Sequence, residues 1–122
     1  MQNGNILDGL KSRVDTIMKI LSEKKAEDIV CVDMTQKPYI TQYVVISTAM
    51  VGKHAYALLD ALKTELKPKG EHFFSIDEES EDWIIVDLGD IMVHIFTENH
   101  RKKFNLEDFL QQNFIKDIKN ID

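Results

Sequence analysis

The chain has 122 residues, 43% apolar and 30% charged, the profile of an ordinary soluble domain long enough to bury one core. Acids outnumber bases 21 to 15, and a net charge of −6 argues against duplex nucleic acid or anionic membrane as the main ligand and suits a basic protein surface better. The single Cys31 excludes an internal disulfide, no apolar run approaches the roughly 18 residues of a membrane span, and MQNGNILDGLK lacks a signal-peptide pattern, so a cytoplasmic setting is expected.

Residues 1–5 are expected to fray. From Ile6, apolar residues recur at three and four (Ile6, Leu7, Leu10, Val14, Ile17, Met18, Leu21), which predicts an amphipathic helix ending near Lys24-Lys25. DIVCVDM at 28–34 is a β-branched run without helical period and predicts a buried strand, with the thiol of Cys31 inside it; Pro38 then marks a turn. QYVVIST at 42–48 is nearly continuous in apolar content, as in a strand covered on both faces. Gly52 opens a helix with the core stripe Ala55, Leu58, Leu59, Leu62 and Leu66, which Pro68 ends because the residue before proline is pushed out of helical geometry.

HFFSI at 72–76 predicts a short third strand near an edge, and DEESED at 77–82 an acidic loop. Two further strands occupy 83–97, and ENHRKKFN at 98–105 reads as a polar, basic connection. Leu106, Phe109, Leu110, Phe114 and Ile118 then predict a last helix behind the N-cap Asn105, with Glu107 and Asp108 in its first turn. The expected order is α-β-β-α-β-β-β-α: a single α/β (α+β) domain over 1–122, with a mixed sheet of about five strands flanked by helices. Residues 111–122 form its C-terminal tail or helix.

The centre of the pattern is DWIIVDLGDIMVHIFT at 82–97, two strands around Gly89-Asp90, a dipeptide suited to a tight hairpin. A two-residue loop pairs Leu88 with Ile91, Asp87 with Met92, Val86 with Val93, Ile85 with His94, Ile84 with Ile95 and Trp83 with Phe96. Because the strand period is two, one face becomes Ile84, Val86, Leu88, Ile91, Val93 and Ile95. That set is a core face. The other is Trp83, Ile85, Asp87, Met92, His94 and Phe96, an aromatic and sulfur surface with one acid and one imidazole. If helices cover only the aliphatic face, this one is an exposed patch of a kind that monomers rarely leave open, and Trp83 with Phe96 resembles an interface anchor.

Other candidate chemistry is thinner. Asp87 and Asp90 are near enough in sequence to suggest a Mg²⁺-binding or acid–base pair, but Asp90 has a local reason to sit in a turn. His54, His72, His94 and His100 lack metal-ligand spacing, so neither metal nor cofactor is expected. Gly52-Lys53 falls short of a phosphate-binding motif, and His100-Arg101-Lys102-Lys103 suits a solvated turn better than a main RNA contact. His94 is read either as a half-buried histidine bonded to Asp87 or backbone, or as a donor to a partner.

These residues also carry a resemblance. WIIVDLGDIMVHIF at 83–96 closely matches the W-(aliphatic)₂-x-D-x-G-D-(aliphatic)₂-V-H-(aliphatic)-F signature of the ribosomal silencing factor family, also called the Iojap family. KAEDIVCVDM at 25–34, ITQYVVIST at 40–48, the segment ending in Lys53-His54 and FNLEDFL at 104–110 resemble its other motifs, in the same order. The chain departs from the pattern at Gln42, at Met50-Val51-Gly52 and in the tail beyond Leu110.

The resemblance implies a nucleotidyltransferase-like fold without transferase chemistry, and a homodimer-prone protein that binds the large ribosomal subunit through its protein numbered fourteen. It also implies that joining of the small subunit is blocked by occlusion, so translation is held down. Trp83 and Phe96 would be the anchors, with Ile85 and Met92 around them. Asp87, Asp90 and His94 would supply polar contacts, and Tyr43 would contribute from the neighbouring strand. A homodimer through the same face would compete, and any ribosomal RNA contact would be secondary. The reading kept as an alternative is a metal-dependent nucleotidyltransferase-like enzyme using Asp87 and Asp90.

Overall fold

The computed structural model describes residues 4–36 and 38–110, with side chains from residue 9 onward. Helix α1 (Gly4–Glu23) buries Leu10, Val14, Ile17, Ile20 and Leu21 on one stripe, as its three-and-four spacing requires. Each such residue taken fully from water contributes about 2 kcal/mol, far more than helix propensity can. The helix ends with Lys25 at φ 72, while Ala26 N–H reaches the Leu21 carbonyl and Lys25 N–H that of Ser22. This is a Schellman closure with lysine where glycine is usual.

Strand β1 (Glu27–Asp33) pairs antiparallel with β2 (Tyr43–Ala49). Helix α2 (Gly52–Leu66) follows, then a 3₁₀ turn at Lys67–Lys69 holding Pro68, which Gly70 leaves at φ 93. Val51 gives α2 no side-chain cap. Instead His54 Nδ1 accepts the Met50 N–H at 3.1 Å, which leaves its Nε2–H to donate to the Lys24 carbonyl at 2.8 Å and ties the start of α2 to the end of α1. Strands β3 (Ser75–Ser80), β4 (Trp83–Asp87) and β5 (Ile91–Thr97) complete a five-stranded sheet of order β1-β2-β5-β4-β3. Only β2 and β5 run parallel, so α2, β3 and β4 together form the crossover between them. Short helices α3 (Glu98–Lys103) and α4 (Leu106–Leu110) end the described chain.

The sheet separates two apolar layers. On one face α1 and α2 cover Tyr43, Val45, Ile84, Val86, Ile91, Val93 and Ile95. On the other, Leu106 and Leu110 pack on Val32, Val44, Ile46 and Phe96, with Trp83 and Phe104 at the margin. All seven residues of β2 are buried, in line with its unbroken apolar run.

Five expectations change. Gly4 and Asn5 are already helical, where fraying was expected. The third strand lies at Ser75–Ser80, so most of the acidic stretch is strand and not loop. An edge strand with one inward residue, Ile76, tolerates carboxylates along its solvent side, and such charge also discourages edge-to-edge pairing. The expected connection after β5 contains α3, begun by Glu98 at the favourable end and braced by Glu98–Lys102 at 3.6 Å. Cys31 is exposed, on β1, which is the other edge of the sheet. The last helix is seen over Leu106–Leu110, with Asp108 N–H donating to Asn105 Oδ1 at 3.1 Å as the N-cap requires; Phe114 and Ile118 lie outside the described residues.

Candidate docking face

The hairpin adopts the register its sequence predicts: Trp83 opposite Phe96, Ile84 opposite Ile95, Ile85 opposite His94, Val86 opposite Val93 and Asp87 opposite Met92. Gly89 takes φ 91 at the first loop position, which a side chain would strain, and a Cβ there would also collide with the Phe74 ring. Asp87 Oδ1 accepts the Gly89 N–H at 2.8 Å, so this carboxylate shapes the turn.

The aromatic face is neither open nor sealed. Phe96 is fully buried, beneath Trp83 (centroids 5.1 Å apart), His100 and Phe104, and therefore offers no surface of its own. Trp83 is half-buried, with Phe104 at 4.9 Å and His100 at 5.6 Å. The cover is held by Arg101, whose guanidinium donates to Thr48 Oγ1 at 2.6 Å and to Glu107 Oε1 at 2.7 and 3.0 Å. What stays accessible is a strip along β4 and β5: Trp83, Ile85, Asp87 and Met92, each half-buried. The condition for an open face, helices over the aliphatic side alone, is only partly met, because α3, Phe104 and α4 roof the part around Phe96 and Trp83.

His94 is buried, and its partner is neither Asp87 nor backbone. Trp83 Nε1–H donates to His94 Nδ1 at 2.9 Å. Burial holds the imidazole neutral, pushing its pKa from the ordinary 6.5 down to about 4. With Nδ1 accepting, the proton sits on Nε2, which meets no partner among the described residues.

Two expected members of the face lie elsewhere. Tyr43 pairs with Ile91 and so shares its face; it is buried under α1 and α2, and the even period of the strand puts it on the wrong side. Asp90 turns toward α1, where Arg13 donates to both its oxygens at 2.9 and 3.0 Å and to both oxygens of Glu71 at 2.7 and 2.9 Å. The guanidinium holds the Asp90 carboxyl below its ordinary 3.8. Asp87 and Asp90 thus serve a turn and an ion pair, and do not converge. Among the described residues no three His, Cys, Asp or Glu side chains group as a metal site would require.

Arg13 also lines a cleft of about 620 Å³ between α1, the end of α2 and the hairpin turn, with exposed Phe74 on its rim. Nothing local in the sequence marks Arg13, because its partners are 58 and 77 residues away. Arg101 escaped notice for a different reason, since it looked like one cation in a basic run.

Fold and face together define a small α+β domain whose mixed sheet is covered by two long helices on one side and, among the described residues, only partly roofed on the other. The family model for the ribosomal silencing factor during starvation matches residues 8–122. A ribosomal silencing factor of Haemophilus influenzae is 37% identical over 95 residues, 77% of this chain and 93% of that protein. The mouse protein named mitochondrial assembly of ribosomal large subunit protein 1 is 25% identical over 103 residues, 81% of this chain but 45% of its own length. A crystal structure of a Chromobacterium violaceum protein shares the fold with a TM-score of 0.77 at 23% identity, over 81% of this chain and 83% of that one. The chain belongs to the ribosomal silencing factor family.

Proposed function

We propose that this protein binds the large ribosomal subunit and, by occupying the surface where the small subunit docks, represses translation without catalysing a reaction. The partner is the large-subunit protein numbered fourteen, as the family resemblance implies. The observation that carries the reading is the half-exposed strip of Trp83, Ile85, Met92 and Asp87 in a chain of this family. An indole flanked by aliphatic and thioether groups gives apolar contact, and Asp87 on a chain of charge −6 favours a basic partner. Phe96 and His94 act from beneath. Asp90 and Tyr43 stand apart from the strip.

Occupancy sets the effect, so its strength follows protein concentration relative to Kd. A homodimer through the same strip would compete with the ribosome, because one patch cannot hold both. The setting is cytoplasmic, where large subunits meet small ones. Co-sedimentation with purified large subunits, followed by addition of small subunits, tests the proposal. The protein should pellet with the large subunit and reduce joining in proportion to its occupancy. Pelleting without any loss of joining refutes the occlusion mechanism, and failure to pellet refutes the partner.

A further inference from the structure

The indole N–H of Trp83 is not available to a partner. It donates at 2.9 Å to His94 Nδ1, and His94 is itself 5% exposed, packed beside Phe96 with ring centroids 6.2 Å apart. Phe96 and Phe104 stand 5.1 and 4.9 Å from the indole and limit its rotation from two further directions. The hydrogen bond sets which edge of the indole faces inward, a choice that packing on a flat ring leaves open.

We propose that His94 is a positioning residue: it fixes the Trp83 indole for docking and does not itself touch the partner. This rests on the reading of the Trp83 strip given above. Two consequences follow for recognition. The anchor is ordered before the partner arrives, so docking forgoes the rotamer entropy that a free tryptophan would lose. With its only polar atom engaged, the exposed part of Trp83 offers hydrocarbon and π surface alone. The group that sits on it is therefore one that packs or stacks on the ring, as the stem or head of a lysine or arginine can, and not a hydrogen-bond acceptor. That chemistry fits a basic partner protein.

Trp83 is the only tryptophan in the chain, so one indole cross-peak in the nitrogen–proton NMR spectrum reports this bond without ambiguity. In the full-length protein His94→Leu should speed exchange of that indole proton, and His94→Gln, which supplies an acceptor oxygen, should restore much of its protection. Binding to large subunits is then measured for the native chain, H94L, W83F and the double variant. H94L should weaken binding about tenfold in the native background and by less than about twofold in the W83F background, where no indole N–H remains to be held. H94Q should recover most of the loss.

An equal penalty for H94L in both backgrounds means that His94 meets the partner directly and overturns the proposal. So does an indole proton whose exchange ignores H94L. If the native chain itself fails to bind large subunits while the indole responds as expected, the docking reading has failed and the hydrogen bond is structural only.

Discussion

Ile84, Val86, Ile91, Val93 and Ile95 are fully buried under α1 and α2, whereas Trp83, Ile85, Asp87 and Met92 on the same two strands stay half-exposed. Composition alone does not decide this, since Ile84 and Ile85 are the same residue on opposite faces. What differs is the roof. The first face lies under helices of 20 and 15 residues, each long enough to lay an apolar stripe across the sheet. Over the second, among the described residues, lie α3 and α4 as far as Leu110, which with Phe104 cover Phe96 and part of Trp83. One β-ribbon, through its period of two, serves a core and a surface at once.

The contrast can be broken deliberately. Ile95→Ala should cost about 2–5 kcal/mol in urea unfolding, because a fully buried side chain leaves a cavity. Ile85→Ala should cost nearer 1 kcal/mol in the same titration, and equal losses would erase the distinction between the faces.

His94 should give the aromatic layer a pH signature that the aliphatic layer lacks. Its folded pKa of about 4 lies below the ordinary 6.5, so the unfolded chain takes up the proton first as pH falls. The associated stability is complete above pH 6.5, declines as pH drops toward 4 and changes no further below that, to a total of up to about 3 kcal/mol. Urea titrations at pH 7 and 4.5 should differ in the native chain and differ less in H94Q.

Trp83→Ala should weaken large-subunit binding by about 2 kcal/mol, read as Kd by co-sedimentation. Arg13→Ala, on the opposite side of the hairpin, should leave that binding intact and lower stability by about 1 kcal/mol, since its carboxylate contacts are partly solvated. Asp90 is ionised more readily in the folded state, so its stabilisation is present above the ordinary carboxylate range and is lost as pH falls through the depressed value. R13A should flatten that acid limb of the stability profile.

Much of the fold was legible because apolar spacing reports local geometry. The stripe from Ala55 to Leu66, the buried β2 and the hairpin register all follow from periods of 3.6 and 2. Less was legible where tertiary context decides. Ser75–Ser80 is a strand because β4 offers it hydrogen bonds, although its composition suggests a loop. Cys31 looked buried from its neighbours, but being an edge residue is a property of the sheet.

The candidate site divides the same way. Its members on β4 and β5 were readable as one face. Tyr43 was misplaced for want of the β2–β5 register, and Asp90 for want of Arg13, a partner 77 residues away. That Phe104, Leu106 and Leu110 fold back over Phe96 is equally a matter of long-range packing.

The most direct test of the account compares one aromatic from each side of the hairpin. Trp83 lies on the strip, and Phe74, 62% exposed, lies on the cleft side. Co-sedimentation with large subunits should show W83A losing most of its binding and F74A keeping it. Undiminished binding by W83A, or its loss in F74A, would contradict the assignment of the docking face.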